Sequence, residues 1–242
     1  MRRVLFQWHG LTLHSYTAML YVGLVGGVVA SNAAAHSVGL DAFRVFIATN
    51  LLIVPALVGA RLVYVASHWG FYRARPHRVW DRNDGGASMY GTLFFALPLS
   101  VPVLYLLGLP FWTFWDVNVF MMLVTMIFAR IGCHLNGCCA GRASRSWAAL
   151  YLSNHLGVWD KRIPTQLIEI GWLVVILIGA MHVWQGKPPP RVLFLLVVIV
   201  YASGRLAMES MREREPGEDG ITRNHVLSAV MILLASGVLM LR

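Results

Sequence analysis

An all-α, polytopic membrane protein is what this sequence predicts, and three observations predict it. Of its 242 residues, 57% are hydrophobic and only 13% are charged, whereas soluble domains carry roughly 25% charged residues. The mean hydropathy is +0.62. The apolar residues also fall into seven separate runs, each near the roughly 20 residues a membrane helix needs. No polar stretch is long enough for a separate soluble domain, so residues 1–242 read as one membrane domain. Seven transmembrane helices carry a small head formed by the inter-helix loops.

The runs justify themselves in order. Met1 to Leu13 holds two arginines but no apolar core followed by a cleavage site, so the first span is expected to be retained. That span covers about Tyr16–Ala34, and Tyr16 at its start sits where aromatic anchors gather. The second covers Phe43–Ala66, with Arg61 near its end. The third covers Ala87–Leu107, entered through Asp84-Gly85-Gly86-Ala87-Ser88-Met89-Tyr90-Gly91. Gly108-Leu109-Pro110 is so short a link that spans three and four form an antiparallel hairpin. The fourth covers Phe111–Phe128 and contains Asp116, whose expected role is to partner a neighbouring helix. Gln166–Trp184, Arg191–Met208 and His225–Leu241 complete the set, with Pro188-Pro189-Pro190 as a stiff connector.

The loops after spans two, four and six are long and rich in arginine, and those after spans one and three are nearly bare. The positive-inside rule places such loops in the cytoplasm. A formal charge of +9 in a membrane protein points to anionic lipid head groups, not to nucleic acid.

Arg130-Ile131-Gly132-Cys133-His134-Leu135-Asn136-Gly137-Cys138-Cys139-Ala140-Gly141-Arg142 is the densest polar stretch, and it holds all three cysteines. Glycines let a ligand approach the main chain, and arginine forks suit phosphate oxygens. An Arg-flanked, glycine-rich turn at a membrane boundary therefore predicts an anionic head-group site; a plain tight turn with snorkelling arginines is the competing account. Arg205, Glu209 and Arg212 recur at helical spacing on one face, as a structural ion pair or as part of that site. By parity the stretches around Tyr90, Arg130 and Arg205 lie at one membrane face. Three clustered cysteines form no disulfide framework; they are expected unbridged and without metal, because the adjacent pair is poorly spaced for tetrahedral zinc.

These residues resemble a known family, the prolipoprotein diacylglyceryl transferases. Its signature reads Gly-Arg-x-Gly-Asn-Phe-x-Asn-x-Glu-x-x-Gly, and Arg130, Gly132, Asn136 and Gly141 match it. Pro164-Thr165-Gln166-Leu167 followed by Glu169 is similar to the family's His-Pro-[Ser/Thr]-Gln-Leu-Tyr-Glu. Gly204-Arg205-Leu206 with Glu209 and Arg212 is similar to Gly-Arg-Phe-x-x-Glu-x-x-Arg. Ser15-Tyr16, Gly59-Ala60-Arg61-Leu62 and Gly85-Gly86-Ala87-Ser88 also have counterparts, in the family's order. Three departures stand out: Tyr90 replaces a functional histidine, and Cys133 and Cys138 replace the signature Asn and Glu.

The resemblance implies transfer of a diacylglyceryl group from phosphatidylglycerol to the lipobox cysteine of an exported prolipoprotein signal peptide. A thioether forms and glycerol phosphate leaves. It implies a bacterial inner membrane enzyme with its site toward the periplasmic face, opposite to the charge rule, and no cofactor. Arg130 and Arg205 are then expected on the departing phosphate, Glu209 as their orienting carboxylate, and Tyr90 in the acid/base position. Tyr16, Arg61, Asn136, Gly141 and Arg212 are expected around the lipid head group. His134 supplies a base or merely packs in place of the family's Phe. A phenol of ordinary pKa about 10 is a poor base near neutral pH. Three alternatives therefore stay open: an inactive relative that binds lipid or lipoprotein, a transferase for another lipid or acceptor, and a metal or redox protein built on Cys133, His134, Cys138 and Cys139.

Overall fold

The apolar runs become helices because a chain without surrounding water must satisfy its backbone groups internally. A computed structural model describes residues 4–8, 11–81, 88–153, 157–213 and 222–241. In chain order the elements are β1 (Val4–Trp8), β2 (Leu11–His14), α1 (Ser15–Ser37), α2 (Ala42–Ser67), α3 (Trp69–Arg73), α4 (Met89–Leu107), α5 (Phe111–Asn136), β3 (Leu150–Ser153), β4 (Trp159–Arg162), α6 (Thr165–Gln185), α7 (Val192–Glu209) and α8 (Arg223–Met240). Among the described residues six helices, α1, α2, α4, α5, α6 and α7, are long and apolar enough to cross a membrane. The seventh expected span is the apolar helix α8, whose 18 residues reach about 27 Å at 1.5 Å per residue. The expected seven-helix architecture thus holds closely, with two small antiparallel hairpins, β1–β2 and β3–β4, added outside the spans.

The chain divides into two compact units. One comprises residues 35–114 and the other residues 1–34 with 115–242. In the first, α2 packs on α4. Asp41 caps α2 by accepting from the backbone N–H groups of Phe43 and Arg44 at 2.9 and 3.2 Å. Arg61 of α2 gives its guanidinium to the carbonyls of Val79, Arg78 and Asp81 at 2.7–3.2 Å. It also lies over the rings of Tyr64 and Tyr72.

In the second unit α7 packs against α6 and α8, and α1 meets α5 where the Thr125 hydroxyl donates to the Gly23 carbonyl at 3.1 Å. Asp116 of α5 is buried, and it accepts from the backbone N–H groups of Arg191 and Phe194 at 2.7 and 2.8 Å. It thus supplies the N-terminal cap of α7 from another helix, the partner role expected for it. Chain segments beyond the helices are stitched together at one end of this unit. Residues 141–144 run extended between two partners. Gly141 and Ser144 donate to Ile163 and Lys161 on one side, and Arg142 donates to Met211 on the other, all at 2.9–3.0 Å.

Candidate functional site

Four elements of the second unit bring charge to one place: the end of α5, the start of α6, the end of α7 and the start of α8. Arg130 lies in the last two turns of α5, which continues to Asn136. The sequence expectation of a turn beginning near Arg130 is corrected here. Helix persists through Arg130 and Cys133 because its charge is compensated inside the protein. Glu169 of α6 is that compensation. One of its carboxylate oxygens pairs with Arg130 and the other with Arg205 of α7. Arg205 also reaches Glu209, one turn on, at 3.5 Å. Glu209 in turn accepts from the Thr222 hydroxyl at 3.2 Å and the Asn224 amide at 2.8 Å, at the start of α8. The Glu169, Arg205 and Glu209 side chains are all buried. Buried charges persist only when paired and hydrogen-bonded in this way.

Arg212 follows the end of α7. Its backbone bridges Gly141, which has to be glycine: a Cβ there would stand 2.6 Å from the Met211 carbonyl and 2.8 Å from the Thr165 methyl. Among the described residues no carboxylate lies within ion-pair distance of the Arg212 guanidinium. Burial, with Arg205 and Arg130 nearby, pushes its pKa down from the usual guanidinium range. Among the described residues the guanidiniums of Arg130 and Arg205 pair with carboxylates, and Arg212 acts electrostatically on Cys139.

The cysteines lie against this cluster. Gly137 takes φ 72° and closes α5 with two bonds: its own N–H to the His134 carbonyl at 3.2 Å, and that of Cys138 to the Cys133 carbonyl at 3.1 Å. This helix-ending motif brings the side chains of those last two residues together. Cys139 then takes φ 64°, a left-handed conformation that costs a non-glycine residue about 1–3 kcal/mol. The turn is held from outside: the carbonyls of Gly137, Cys138 and Cys139 accept from Ser153, Gln166 and Thr165 at 3.0, 2.7 and 2.8 Å. Hydrogen bonding with the Cys133 and Cys138 thiols, with Arg130 and Arg212 behind them, holds the Cys139 pKa well below the usual thiol range despite burial. For Cys138, hydrogen bonding to Cys133 pulls the other way, but Cys139 and burial outweigh it and push the thiol up to about 11. Tyr16 at the start of α1 interacts electrostatically with Arg130 and all three cysteines, and the Asn136 side chain hydrogen-bonds to Cys138.

Of the residues expected from the sequence, Tyr16, Arg130, Asn136, Gly141, Arg205, Glu209 and Arg212 therefore gather in one unit. Tyr90, buried in the first turn of α4, and Arg61 belong to the other. Arg61 is committed to loop carbonyls. Residues 84–87 of the second glycine-rich stretch lie outside the described residues. Glu169 had no role assigned from sequence, although it stood in a matched motif; the signal was a carboxylate in the first turns of an apolar helix, which needs a cationic partner.

Comparison with known proteins agrees with the resemblance. Residues 3–241 match the family model described as prolipoprotein diacylglyceryl transferase. A phosphatidylglycerol–prolipoprotein diacylglyceryl transferase of Tropheryma whipplei (strain TW08/27) is 30% identical over 241 residues, covering 94% of this chain and 88% of the relative. One of the same name from Streptococcus pyogenes serotype M5 (strain Manfredo) is 26% identical over 230 residues, covering 93% and 88%.

Proposed function

The chain belongs to the prolipoprotein diacylglyceryl transferase family, and from that premise we propose that it moves a diacylglyceryl group from phosphatidylglycerol to the lipobox cysteine of an exported prolipoprotein. The acceptor thiol loses its proton to water, and the thiolate sulfur attacks the glyceryl carbon that bears the phosphate. The carbon–oxygen bond breaks, its electron pair stays on the phosphate oxygen, and glycerol phosphate leaves. A phosphodiester with one negative charge becomes a monoester with two, so one negative charge develops as the bond breaks.

The observation that carries this reading is Arg212. Among the described residues its guanidinium has no carboxylate at ion-pair distance, and it lies near the paired Arg130 and Arg205, which suits a site whose anion arrives with the substrate. Arg130 and Arg205, held by Glu169, are preorganised donors where charge develops, the arrangement that lowers a barrier most. Glu209 fixes Arg205 against the start of α8. Tyr16 and Asn136 are assigned to hydrogen-bond the head group, and Gly141 keeps Arg212 in place. Tyr90 retains the acid/base assignment that its position in the family motif implies. The reading puts the site at the periplasmic face of the bacterial inner membrane.

The test is purified protein in phosphatidylglycerol vesicles with a lipobox peptide. Mass spectrometry is expected to show the diacylglyceryl adduct on the cysteine peptide and none on its serine counterpart. An unmodified cysteine peptide overturns the reading.

A further inference from the structure

The three thiols make a tripod that the transferase chemistry described so far does not use. The Sγ atoms of Cys133, Cys138 and Cys139 all lie within 4.8 Å of one another, and those of Cys138 and Cys139 are 3.7 Å apart. Zinc bonded to sulfur at about 2.3 Å in tetrahedral geometry holds its sulfurs about 3.8 Å apart. Adjacency of Cys138 and Cys139 argued against a metal from the sequence. The fold removes that objection, because the left-handed residues Gly137 and Cys139 turn the chain so that neighbouring side chains converge. Hydrogen bonds from Ser153, Gln166 and Thr165 to three consecutive carbonyls fix that turn. Cys133 is buried, whereas Cys138 and Cys139 are only partly so, which leaves the tripod open on one side. Its surroundings are also right: three thiolates and a divalent ion sum to one negative charge, and Arg130 and Arg212 act electrostatically on the cluster.

We propose that Cys133, Cys138 and Cys139 hold a zinc ion through three thiolates and that its open fourth position takes the acceptor thiol. The second half rests on the chain being a transferase to thiols. Three protein ligands with one open position is the pattern of catalytic zinc, and a coordinated thiol is deprotonated outright. The acceptor thiol gives its proton to water on binding. Its sulfur then forms the bond to the glyceryl carbon while the carbon–oxygen bond breaks toward phosphate. The thioether product carries no charge and leaves the metal. No electron is gained or lost by any group. Zinc thus supplies the thiolate that the nucleophilic step requires, in a chain with Tyr90 where a histidine base is expected.

Two measurements on the full-length protein, purified from zinc-supplemented cells without chelator, separate the parts. Elemental analysis is expected to find stoichiometric zinc in the wild type and background levels in Cys133→Ser and Cys139→Ser, with melting temperature followed in each. Wild-type protein that is folded, active and free of zinc overturns the site. Cobalt replacing zinc is expected to give sulfur-to-cobalt charge-transfer absorption that changes when a lipobox peptide is added, and does not change with the serine peptide. A cobalt spectrum indifferent to the cysteine peptide overturns the role of the fourth position. Loss of transfer with metal and spectral response intact counts against the transferase reading and leaves the metal site standing.

Discussion

Arg130 and Arg205 share a single carboxylate: Glu169 pairs with one through each of its oxygens. Two cations on different helices are thereby held together by a third helix, in a place where water does not screen them. Replacing Glu169 by Gln removes the shared charge and leaves both guanidiniums under-compensated. The expected loss is about 3–5 kcal/mol, the range for breaking a buried pair by removing one partner. A large fall in the melting temperature of the detergent-solubilised protein, together with lost transfer, checks it; an unchanged melting temperature contradicts the shared role.

Arg212 predicts the opposite division. Among the described residues its guanidinium has no carboxylate partner to abandon, so Arg212→Gln is expected to keep a near-wild-type melting temperature. If the residue meets the leaving phosphate, transfer falls by roughly 10²–10³, the range for one lost preorganised donor. Arg212→Lys should recover only part of it, because lysine is a point charge without the fork. A rate unaffected by both changes removes Arg212 from the phosphate site.

Asp116 is a stability residue remote from that chemistry. It satisfies two backbone donors at the start of α7. Asp116→Ala is expected to cost about 0.5–2 kcal/mol, as for other lost helix caps, with normal transfer per folded molecule. Asparagine keeps an acceptor oxygen and should retain much of the cap. Thermal melts and rates on the same preparations decide.

Thiol labelling reports the cysteine electrostatics directly. In metal-stripped protein the depressed pKa of Cys139 keeps it as thiolate throughout the neutral range, so iodoacetamide should label it at pH 6 with little change up to pH 9. Cys138, pushed up to about 11, should react slowly and faster as pH rises. The sign for stability follows: a thiol whose folded pKa lies below its unfolded value contributes stability above the unfolded pKa, and that contribution is lost as pH falls through the folded one. Equal labelling of both at pH 6 contradicts the asymmetry.

Orientation is settled by one introduced cysteine. Ser146 is exposed in the segment between α5 and β3. If the site faces the periplasm, Ser146→Cys in intact cells reacts with a membrane-impermeant maleimide. Protection until the cells are lysed supports the arginine-count orientation instead.

Helix positions were legible in the sequence because long apolar runs in lipid have almost no alternative to helix. The end of α5 was not, because stopping at Phe128 assumes that Arg130 must leave the apolar phase. Its charge is instead met by Glu169, a partner far along the chain that no local pattern reveals. The same reason hid the importance of Glu169 itself. Arg205 and Glu209 were legible as a pair because helical spacing alone puts them together. Arg61 was legible as a charge near the end of a span, but its carbonyl partners lie in a loop with no sequence signal for them. The closeness of the three thiols was not legible, because adjacency suggests divergent side chains and the left-handed φ of Cys139 cannot be seen in a residue that is not glycine.

Glu209 also imposes an order on the birth of the molecule. Its carboxylate is completed by Thr222 and Asn224, which leave the ribosome after every other member of the charged cluster. Until α8 is in place, Glu209 at the end of α7 has Arg205 beside it but lacks the donors of Thr222 and Asn224. Docking of α8 is therefore the event that completes the cluster, and a chain stalled before it keeps a half-satisfied carboxylate, which is costly wherever water is excluded.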